Sequence, residues 1–372
     1  EIGVRLVGSE MCIRDREINK GCIMKNKLKH LVPVLLALAT ITGSLSACEL
    51  KPKAQQKVSK QGFYFDTIIQ ITLYGTTDEK YIDDCFDMAK KYEDMLSNTV
   101  SYSEVSKIND AAGKEYVTVS DDTLELIKNG IEYGDTSDGR FDITIGKLSD
   151  LWNFSEIAEN TDSKDNEVDA SVVPSDAQIQ SELSHVNYRN IQINGNDVML
   201  TDSKAKLDLG GIAKGFIADK MKAYLQSKKI TSGIINLGGN VLTVGEKSDG
   251  SDYTVGIQKP FDESGEPICT VKIKDKSVVT SGIYERYYRV DGKLYHHILD
   301  TTTGYPVKNN LYSVTIISDS SCDGDALSTT CFALGIDKAK ELINSLSGVE
   351  AIFVTDDYSI ITTSDEYNVS KE

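Results

Sequence analysis

Two segments of the chain repeat apolar residues at the spacing of an amphipathic helix. In residues 79–96 and again in residues 121–136, apolar side chains recur three or four positions apart, so one face of each segment can pack on a core. Ser120 directly precedes the second segment and is a residue type that caps helix N-termini. Residues 65–73 alternate apolar and polar positions instead, which predicts a strand.

The rest of the chain mixes short strands and helices without a regular alternation. Asn194-Gly195-Asn196 is a strong turn signal, so residues 191–200 are predicted to form a hairpin. Further helices are predicted over 175–183, 216–228, 325–334 and 337–346, and short strands over 233–317 and up to Thr362. Such a mixture predicts an α+β fold in which mixed sheets with flanking helices form a single compact unit.

Residues 24–47 have the features of a bacterial secretory signal. Lysines follow Met24, an apolar stretch comes next, and small residues precede Cys48 as in a lipobox. Cys48 is therefore expected to be lipid-modified and to hold the mature protein at a membrane surface. A simple cleaved signal with an incidental cysteine is the alternative. Residues 1–23 show no periodic pattern and are interpreted as an upstream or non-native segment.

The segment that follows the signal is polar. Residues 48–61, rich in lysine and glutamine, are predicted to be a tether that leads into a folded domain over residues 62–368. Residues 160–176 are acidic and polar and contain a proline, so they are interpreted as a mobile insertion in that domain.

The charge balance and the cysteines exclude some classes of site. The formal net charge is −17, which argues against binding to nucleic acid and against electrostatic adhesion to anionic lipid. The cysteines beyond Cys48 lack zinc-site or CxxC spacing, and they are interpreted as small core residues, with a disulfide left open: Cys85, Cys269, Cys322 and Cys331.

The segment Asp208–Gly215 concentrates a carboxylate, several glycines and Lys214 directly before a predicted helix. Glycines allow backbone N–H groups to approach an anion closely, and the helix N-terminus adds partial positive charge. Asp208 can accept hydrogen bonds from a sugar or a base. These features favour nucleotide binding, although the segment matches neither the P-loop nor the G-x-G-x-x-G pattern and a tight connection is the plain alternative.

Two further stretches contain candidate functional residues. The segment 138–142 precedes Trp152, and a buried aromatic beside polar groups can stack on a planar ring; the ordinary interpretation is a turn that feeds a strand. His296 and His297 are adjacent, and neighbours on a strand face opposite sides, so one of them at most points into a site. Proton transfer by that histidine competes with a structural hydrogen bond as its role.

Asp325 and Thr329 are four residues apart in a predicted helix, so their oxygens lie on one face. A carboxylate with hydroxyl or backbone oxygens suits Mg²⁺, which prefers hard oxygen ligands and leaves positions open for phosphate. The alternative is an N-cap aspartate with a solvent-facing threonine.

Taken in order, these segments resemble the ApbE family, the FAD:protein FMN transferases, from about Gly62 to the terminal strands. The segments that carry the resemblance are Phe65-Asp66-Thr67, Leu96-Ser97 through Ile108-Asn109, Gly139–Asp142 through Leu151-Trp152, Asp208–Gly215, Asn236–Asn240, Thr280–Tyr288, His297–Pro306 and Asp325–Thr329.

The resemblance implies a Mg²⁺-dependent enzyme that splits FAD at its pyrophosphate, releases AMP and attaches FMN to a threonine or serine of a partner protein. It implies a catalytic role for Asp325 and His297. The metal ligands would be Gly211 through its carbonyl, Asp325 and Thr329. The residues implied to bind FAD are Phe65, Thr99, Arg140, Phe141, Asp142, Asp208, Lys214 and Ile298 through its backbone.

This chain departs from the family pattern at two places. Thr99 occupies the position after the Leu-Ser pair where a tyrosine is usual, and Tyr102 follows three positions later. Phe65 and Asp66 stand where methionine and glycine are frequent. One stacking contact to FAD is therefore in question.

The sequence also allows two other functions. Water in place of the threonine would make the protein an FAD pyrophosphatase that yields FMN and AMP, and a non-catalytic flavin-binding lipoprotein is a third class. The signal and Cys48 predict a lipid-anchored enzyme on the extracytoplasmic face of the bacterial cell membrane, and the resemblance implies a membrane redox-complex subunit as the acceptor.

Overall fold

The strands of this chain pair in antiparallel fashion. The structure, a computed structural model, describes residues 56–161, 166–262, 264–367 and 369–371. In chain order its strands are β1 (Lys57–Tyr64), β2 (Thr67–Tyr74), β3 (Val117–Thr118), β4 (Ile191–Asn194), β5 (Asp197–Leu200), β6 (Ser232–Leu237), β7 (Asn240–Gly245), β8 (Tyr253–Gln258), β9 (Pro267–Ile273), β10 (Ser277–Gly282), β11 (Tyr287–Val290), β12 (Lys293–His296), β13 (Leu311–Ser318), β14 (Glu350–Thr355), β15 (Ile360–Thr362) and β16 (Ser370–Lys371).

Helices flank these strands and connect them. In chain order they are α1 (Lys80–Leu96), α2 (Glu104–Asp110), α3 (Asp121–Thr136), α4 (Gly146–Trp152), α5 (Phe154–Glu159), α6 (Asp176–Leu183), α7 (Ala213–Ser227), α8 (Ser321–Leu334) and α9 (Ile336–Ser345). In the described part of the chain, none of them is long and apolar enough to cross a membrane.

One large sheet organises the fold. Its strands run in the order β1-β2-β6-β7-β10-β13-β14-β15, and smaller sheets are formed by β16-β9-β8, β3-β5-β4 and β11-β12. Helices α1 and α7 cover one face, where Ile69, Ile71 and Leu73 of β2 are fully buried. On the other face, Val241 and Val278 pack in one cluster with residues of β8 and β9. From Gln56 onward the chain forms one compact unit.

The helices with one apolar face lie where their periodicity predicts. α1 and α3 match their predicted ranges within one residue, and the Ser120 hydroxyl accepts a hydrogen bond from the N–H of Thr123 as a cap. The hairpin over 191–200 is also confirmed. The four cysteines predicted to lie in the core are buried free thiols. The α+β class is therefore confirmed.

The tether prediction is wrong for residues 57–61. They form most of β1, which pairs with β2 along its whole length from Lys57 opposite Tyr74 to Tyr64 opposite Thr67. The strand is polar because it is an edge strand with one exposed face, and this polarity gives it the composition of a linker. Residues 48–55 of the predicted tether, together with the signal and Cys48, lie outside the described residues.

The described part of the predicted insertion is paired with a strand. Asn166 and Val168 exchange backbone hydrogen bonds with Arg289 of β11 at 2.7 and 2.9 Å. A short 3₁₀ turn follows at Ala170–Val172. Residues 162–165 lie outside the described residues, and the mobility of 160–176 stays a prediction.

Two local predictions around the candidate residues are wrong. The turn at 138–142 leads into helix α4 and not into a strand, although Trp152 is fully buried as expected. Helix α8 begins at Ser321, so Asp325 lies inside the helix and is not its N-cap. The start was missed because α8 is buried on nearly all sides and lacks the one-sided pattern that marks a surface helix.

A half-buried carboxylate holds the start of α8. Asp219, on α7, accepts hydrogen bonds from the N–H groups of Ser321 and Cys322, both at 2.9 Å, and from the Ser320 hydroxyl at 3.1 Å. Burial raises the pKa of Asp219, and these hydrogen bonds oppose the rise. Helices α7 and α8 are thus joined by a side chain as well as by packing.

Removing this carboxylate should destabilise the protein. We expect Asp219→Ala to lower the free energy of unfolding by about 3 kcal/mol, because it leaves buried N–H groups without acceptors. Asp87→Ala, on the exposed side of α1, should stay within about 0.5 kcal/mol of the parent. Urea unfolding followed by circular dichroism measures both, and equal midpoints for the two variants would contradict the assignment.

Candidate active site

The Asp325 carboxylate lies where α7 and α8 approach each other. A Cβ atom on Gly215 would lie 2.1 Å from the backbone oxygen of Ser321, so no larger residue fits there. The absence of a side chain leaves the Gly215 N–H free to donate a hydrogen bond to Asp325 Oδ2 at 2.9 Å. Asp325 is buried, with 6% of its surface exposed. Close helix packing therefore places a carboxylate inside the protein.

The glycine-rich loop ahead of α7 is held by local hydrogen bonds. The N–H of Asp208 donates to the Ile143 carbonyl at 2.8 Å, and Asp208 Oδ1 accepts from the Gly210 N–H at 2.9 Å. The ring of Phe141 lies against Gly211, since a Cβ there would be 3.2 Å from Phe141 Cε2. Phe141 and Asp208 therefore fix the loop that carries the Gly211 carbonyl.

Lys214 supplies positive charge to the site. Its ammonium donates to the Gly210 carbonyl at 3.3 Å. Burial raises the pKa of Asp325, and the charge of Lys214 and the Gly215 N–H oppose that rise. The Lys214 charge acts on His297 as well. Lys214 is thus the predicted residue whose charge acts on both Asp325 and His297.

Thr329 lies one helical turn beyond Asp325, and its hydroxyl is 3.1 Å from Ser281 Oγ of β10. Asp325 Oδ2 is bound to Gly215, and no hydrogen bond from the described residues reaches Oδ1. A buried carboxylate oxygen without a donor and a hydroxyl on the same helix face are hard-oxygen ligands of the kind that Mg²⁺ takes, and the Gly211 carbonyl is the third ligand that the resemblance implies. The described residues contain no group of three or more His, Cys, Asp or Glu side chains that could hold a metal ion. The donors fit a cation that keeps water and phosphate as its other ligands.

The two histidines face different surroundings, although only His296 lies in β12 and His297 follows the end of that strand. His296 is buried, and its Nε2 lies 3.0 Å from the Val307 carbonyl. His297 is half-buried, and its Nδ1 lies 3.2 Å from the Arg286 carbonyl. Because a carbonyl only accepts, Nδ1 of His297 carries the proton and Nε2 is left as an acceptor. Burial, followed by the Arg286 charge, lowers the pKa of His297 to about 3.

Glu285 is a site residue that the sequence did not single out. It is exposed to solvent, yet burial by the surrounding protein raises its pKa, and the Arg286 and Lys214 charges oppose that rise. The interaction with Lys214 places Glu285 near the candidate site. The sequence signal that could have identified Glu285 is its position within Thr280–Tyr288, one of the segments that carry the family resemblance.

The predicted FAD-binding residues on the Arg140 turn contact other parts of the protein. Arg140 pairs with Asp300 at 2.9 Å, and both line a cavity of about 210 Å³ with Lys308 and Lys338. This cavity does not include the residues around Asp325. The Asp142 carboxylate accepts hydrogen bonds from the N–H of Thr144 and of Tyr188 and from the Thr144 hydroxyl, at 2.6–2.9 Å. Asp142 therefore holds the turn, and its contact with FAD stays a prediction.

The remaining predicted FAD-binding residues lie on three separate segments. The Phe65 N–H donates to the Glu93 carboxylate at 2.9 Å, and its ring is partly buried against the main core. Thr99 is exposed, and its hydroxyl lies 2.9 Å from Ser97 Oγ. The Ile298 N–H is directed at His296 Nδ1 at 3.3 Å, and its carbonyl accepts from Val307 at 2.9 Å. Their contact with FAD also stays a prediction.

Comparison with known proteins settles the family. The model described as the ApbE family matches residues 65–353. The chain belongs to the ApbE family. The α+β fold and the resemblance are thereby confirmed, and the matched range covers the cluster around Asp325.

Relatives in the ApbE family cover most of the chain. A Klebsiella pneumoniae (strain 342) protein named FAD:protein FMN transferase is 38% identical over 298 residues, which are 80% of this chain and 88% of that protein. A Treponema pallidum protein of the same name is 31% identical and covers 74% of this chain and 77% of its own length. The crystal structure of the ApbE protein from Thermotoga maritima superposes with a TM-score of 0.75 at 30% identity, over 85% of this chain and 100% of that chain.

The buried histidine makes the stability of this ApbE protein depend on pH. Burial lowers the pKa of His296 to about 4, below its unfolded value of about 6.5. Protonation therefore favours the unfolded chain, and the contribution of His296 is complete above about pH 6.5 and is lost as the pH falls toward 4. We expect a loss of about 2 kcal/mol from this residue between pH 6.5 and 5.

His296→Gln keeps a donor for the Val307 carbonyl but cannot be protonated. Its free energy of unfolding, measured in urea at pH 6.5 and 5, should fall by less than that of the parent. Burial lowers the pKa of His297 as well. The double variant His296→Gln with His297→Gln should therefore show a still smaller pH dependence of the free energy of unfolding. If the free energy of unfolding changed equally with pH in the parent and in His296→Gln, the assignment of this pH dependence to His296 would be wrong.

Proposed function

We propose that this protein is an FAD:protein FMN transferase that depends on Mg²⁺. It cleaves the pyrophosphate of FAD, releases AMP and joins FMN to a threonine or serine hydroxyl of a partner protein. The observation that carries this proposal is the buried Asp325 carboxylate beside Lys214 and the glycine-rich loop. The names of relatives that are 38% and 31% identical support it.

The chain offers a binding place for the pyrophosphate. The loop 208–212 presents backbone groups at the start of α7, and Lys214, the second residue of that helix, adds a full positive charge. A helix N-terminus together with an ammonium favours a phosphate group. Asp208, Phe65, Thr99, the Arg140–Asp142 turn and the Ile298 backbone would contact the nucleotide and the flavin ring.

Asp325, Thr329 and the Gly211 carbonyl would hold the Mg²⁺ ion. When bound, the ion supplies charge neutralisation on the pyrophosphate oxygens and on the leaving AMP. The buried position of Asp325 strengthens its interaction with a cation, since less water screens it. Gly215 fixes the carboxylate through the 2.9 Å hydrogen bond and so limits its orientation.

Transfer also requires the acceptor hydroxyl to lose its proton. Asp325 and His297 are the candidate proton acceptors. One oxygen of Asp325 is bound to Gly215 and the other is assigned to the metal, so His297 is better placed. Its Nε2 is unprotonated, and the Arg286 carbonyl fixes the ring through Nδ1, so the ring can orient and deprotonate an incoming hydroxyl.

One assay distinguishes the transferase from its two alternatives. The protein is incubated with FAD, Mg²⁺ and a candidate acceptor, and covalent flavin fluorescence, free FMN and AMP are followed. Fluorescent acceptor with AMP indicates the transferase. Free FMN with AMP indicates an FAD pyrophosphatase, since His297 Nε2 can accept a proton from water equally well. Unchanged FAD indicates a non-catalytic flavin carrier.

Asp325→Ala should abolish both FMN transfer and Mg²⁺-dependent FAD cleavage. We expect both rates to fall by about a thousandfold or more, because the variant loses the metal-binding carboxylate. Asp337→Ala, at an exposed aspartate of α9, is the matched control and should keep the parental rates. Turnover by Asp325→Ala in Mg²⁺ would remove Asp325 from the metal site.

We further infer that the enzyme works on the extracytoplasmic face of the bacterial cell membrane, held by a lipid on Cys48. A signal that ends in small residues before Cys48 supports this location. The acceptor is then a subunit of a membrane redox complex that is exposed on the same face.

Cys48→Ser should release the protein from the membrane fraction of bacterial cells, because the acyl chains supply the membrane affinity. Immunoblots of fractionated cells measure this, with Lys53→Ala as the control that should stay membrane-bound. A Cys48→Ser protein that sediments with membranes as the parent does would exclude the lipid anchor.

A further inference from the structure

Strand β10 runs along one face of helix α8, and the two elements touch each other at regular intervals. Ser277 Oγ donates to Ser321 Oγ at 3.0 Å. Further along, a Cβ on Gly324 would lie 2.9 Å from Val279 Cγ2, so strand and helix are close there. Two strand residues span about 6.6 Å and four helical residues about 6 Å, so Ser281 comes opposite the next turn of the helix.

Ser281 contacts two hydroxyl groups on that turn. Its Oγ lies 2.7 Å from Ser328 Oγ and 3.1 Å from Thr329 Oγ1. Ser328 is fully buried, and its hydroxyl donates to the Asp325 carbonyl at 2.9 Å. Three hydroxyl groups and one backbone carbonyl therefore form a continuous chain of hydrogen bonds. The chain ends on the backbone of the residue whose carboxylate belongs to the candidate metal site.

The direction of this chain follows from the number of protons in it. A carbonyl oxygen only accepts, so the single hydroxyl proton of Ser328 is donated to Asp325. Ser328 can then only accept from Ser281, and that contact uses the proton of Ser281. One donor is left for the contact between Ser281 and Thr329, which is the Thr329 hydroxyl.

The usual alternative partner of a helical threonine is already occupied. Threonines inside helices often donate to the carbonyl four residues earlier, which for Thr329 is that of Asp325. In α8 this carbonyl accepts the backbone N–H of its own turn and the Ser328 hydroxyl, so both of its lone pairs are used. Ser281 is therefore the acceptor that fixes the rotation of the Thr329 hydroxyl.

With its proton turned toward β10, Thr329 Oγ1 keeps its lone pairs free. A cation binds a neutral hydroxyl through a lone pair, and hydrogen-bond partners of a ligand fix how that ligand is oriented. We infer that Ser281 is a positioning residue that holds the Thr329 lone pairs toward the Mg²⁺ ion. Ser281 can act in this way only if the proposed Mg²⁺-dependent function holds, because that function supplies the metal.

The test measures metal binding by the full-length protein as well as its activity. Mn²⁺ serves as the probe because it takes the same oxygen ligands, and its binding is followed by the electron paramagnetic resonance signal of the free ion. The Mg²⁺ concentration for half-maximal FAD cleavage is measured in parallel. Thr280→Val is the matched control, since it removes a hydroxyl that pairs with Thr315 at 2.8 Å on the opposite face of the same strand.

We expect Ser281→Ala to raise the Kd for Mn²⁺ by about tenfold, the usual effect of removing a group that orients a metal ligand. The Mg²⁺ concentration for half-maximal FAD cleavage should rise by the same factor, with kcat nearly unchanged at saturating Mg²⁺. Ser281→Thr keeps a hydroxyl and should restore most of the affinity. Thr280→Val should match the parent in both measurements.

A double-mutant cycle shows whether Ser281 acts through Thr329. Thr329→Val alone should weaken Mn²⁺ binding, and adding Ser281→Ala to it should weaken binding no further, because the lone pairs that Ser281 orients are then absent. If the effects of the two changes multiply instead, Ser281 only supports the packing of α8 and the inference is overturned.

The remaining outcomes separate this inference from the proposed function. If the parent binds Mn²⁺ and Ser281→Ala binds it equally tightly, Ser281 does not orient the ligand. If the parent neither binds Mn²⁺ nor cleaves FAD with Mg²⁺, the metal site fails and the role of Ser281 fails with it. Circular dichroism checks the fold of each variant. Ser281→Cys takes the place of an unfolded Ser281→Ala, since a thiol is a weak hydrogen-bonding group, and the same two results decide.

Discussion

The candidate site depends on how closely α7 and α8 approach at Gly215. A side chain there would collide with the Ser321 carbonyl, and without one the Gly215 backbone reaches Asp325. A buried carboxylate is costly unless its oxygens are bound, and this contact satisfies one of them. Asp219 supports the same crossing from the other direction by binding the first N–H groups of α8. The geometry of the site is therefore set by helix packing, which is more rigid than a loop.

The protein as a whole is negatively charged, whereas positive groups lie around the candidate site. A net charge of −17 repels a dinucleotide that carries its own negative phosphates. Near Asp325, the charges of Lys214 and Arg286 and the backbone N–H groups of the glycine-rich loop act in the opposite sense. Asp325 and a pyrophosphate would still repel each other at short range, so both need a cation between them. This requirement explains why a metal fits the proposed reaction better than lysine alone.

The sequence predicts the elements that have one apolar face and misses those that do not. α1 and α3 were predicted within a residue because each packs one side on the core. α8 begins four residues before its predicted start because it is surrounded by protein, and residues 57–61 of β1 have the composition of a linker because β1 is an edge strand. Among site residues, Asp325, Thr329 and Lys214 stood in recognisable segments. Ser281, Glu285 and Asp219 did not stand out, because their roles arise from contacts between segments far apart in sequence.

The solvent exposure of His297 and Glu285 bears on the balance between FMN transfer and FAD hydrolysis. Glu285 is exposed and His297 is half-buried, so water reaches His297, the proposed proton acceptor. Water is far more concentrated than any protein acceptor, and it can replace the hydroxyl in the same reaction. Transfer predominates only if docking holds the acceptor hydroxyl at a high effective concentration beside the phosphate. Binding of the acceptor protein, and not the reacting residues, would thus distinguish an FMN transferase from an FAD pyrophosphatase built on the same residues.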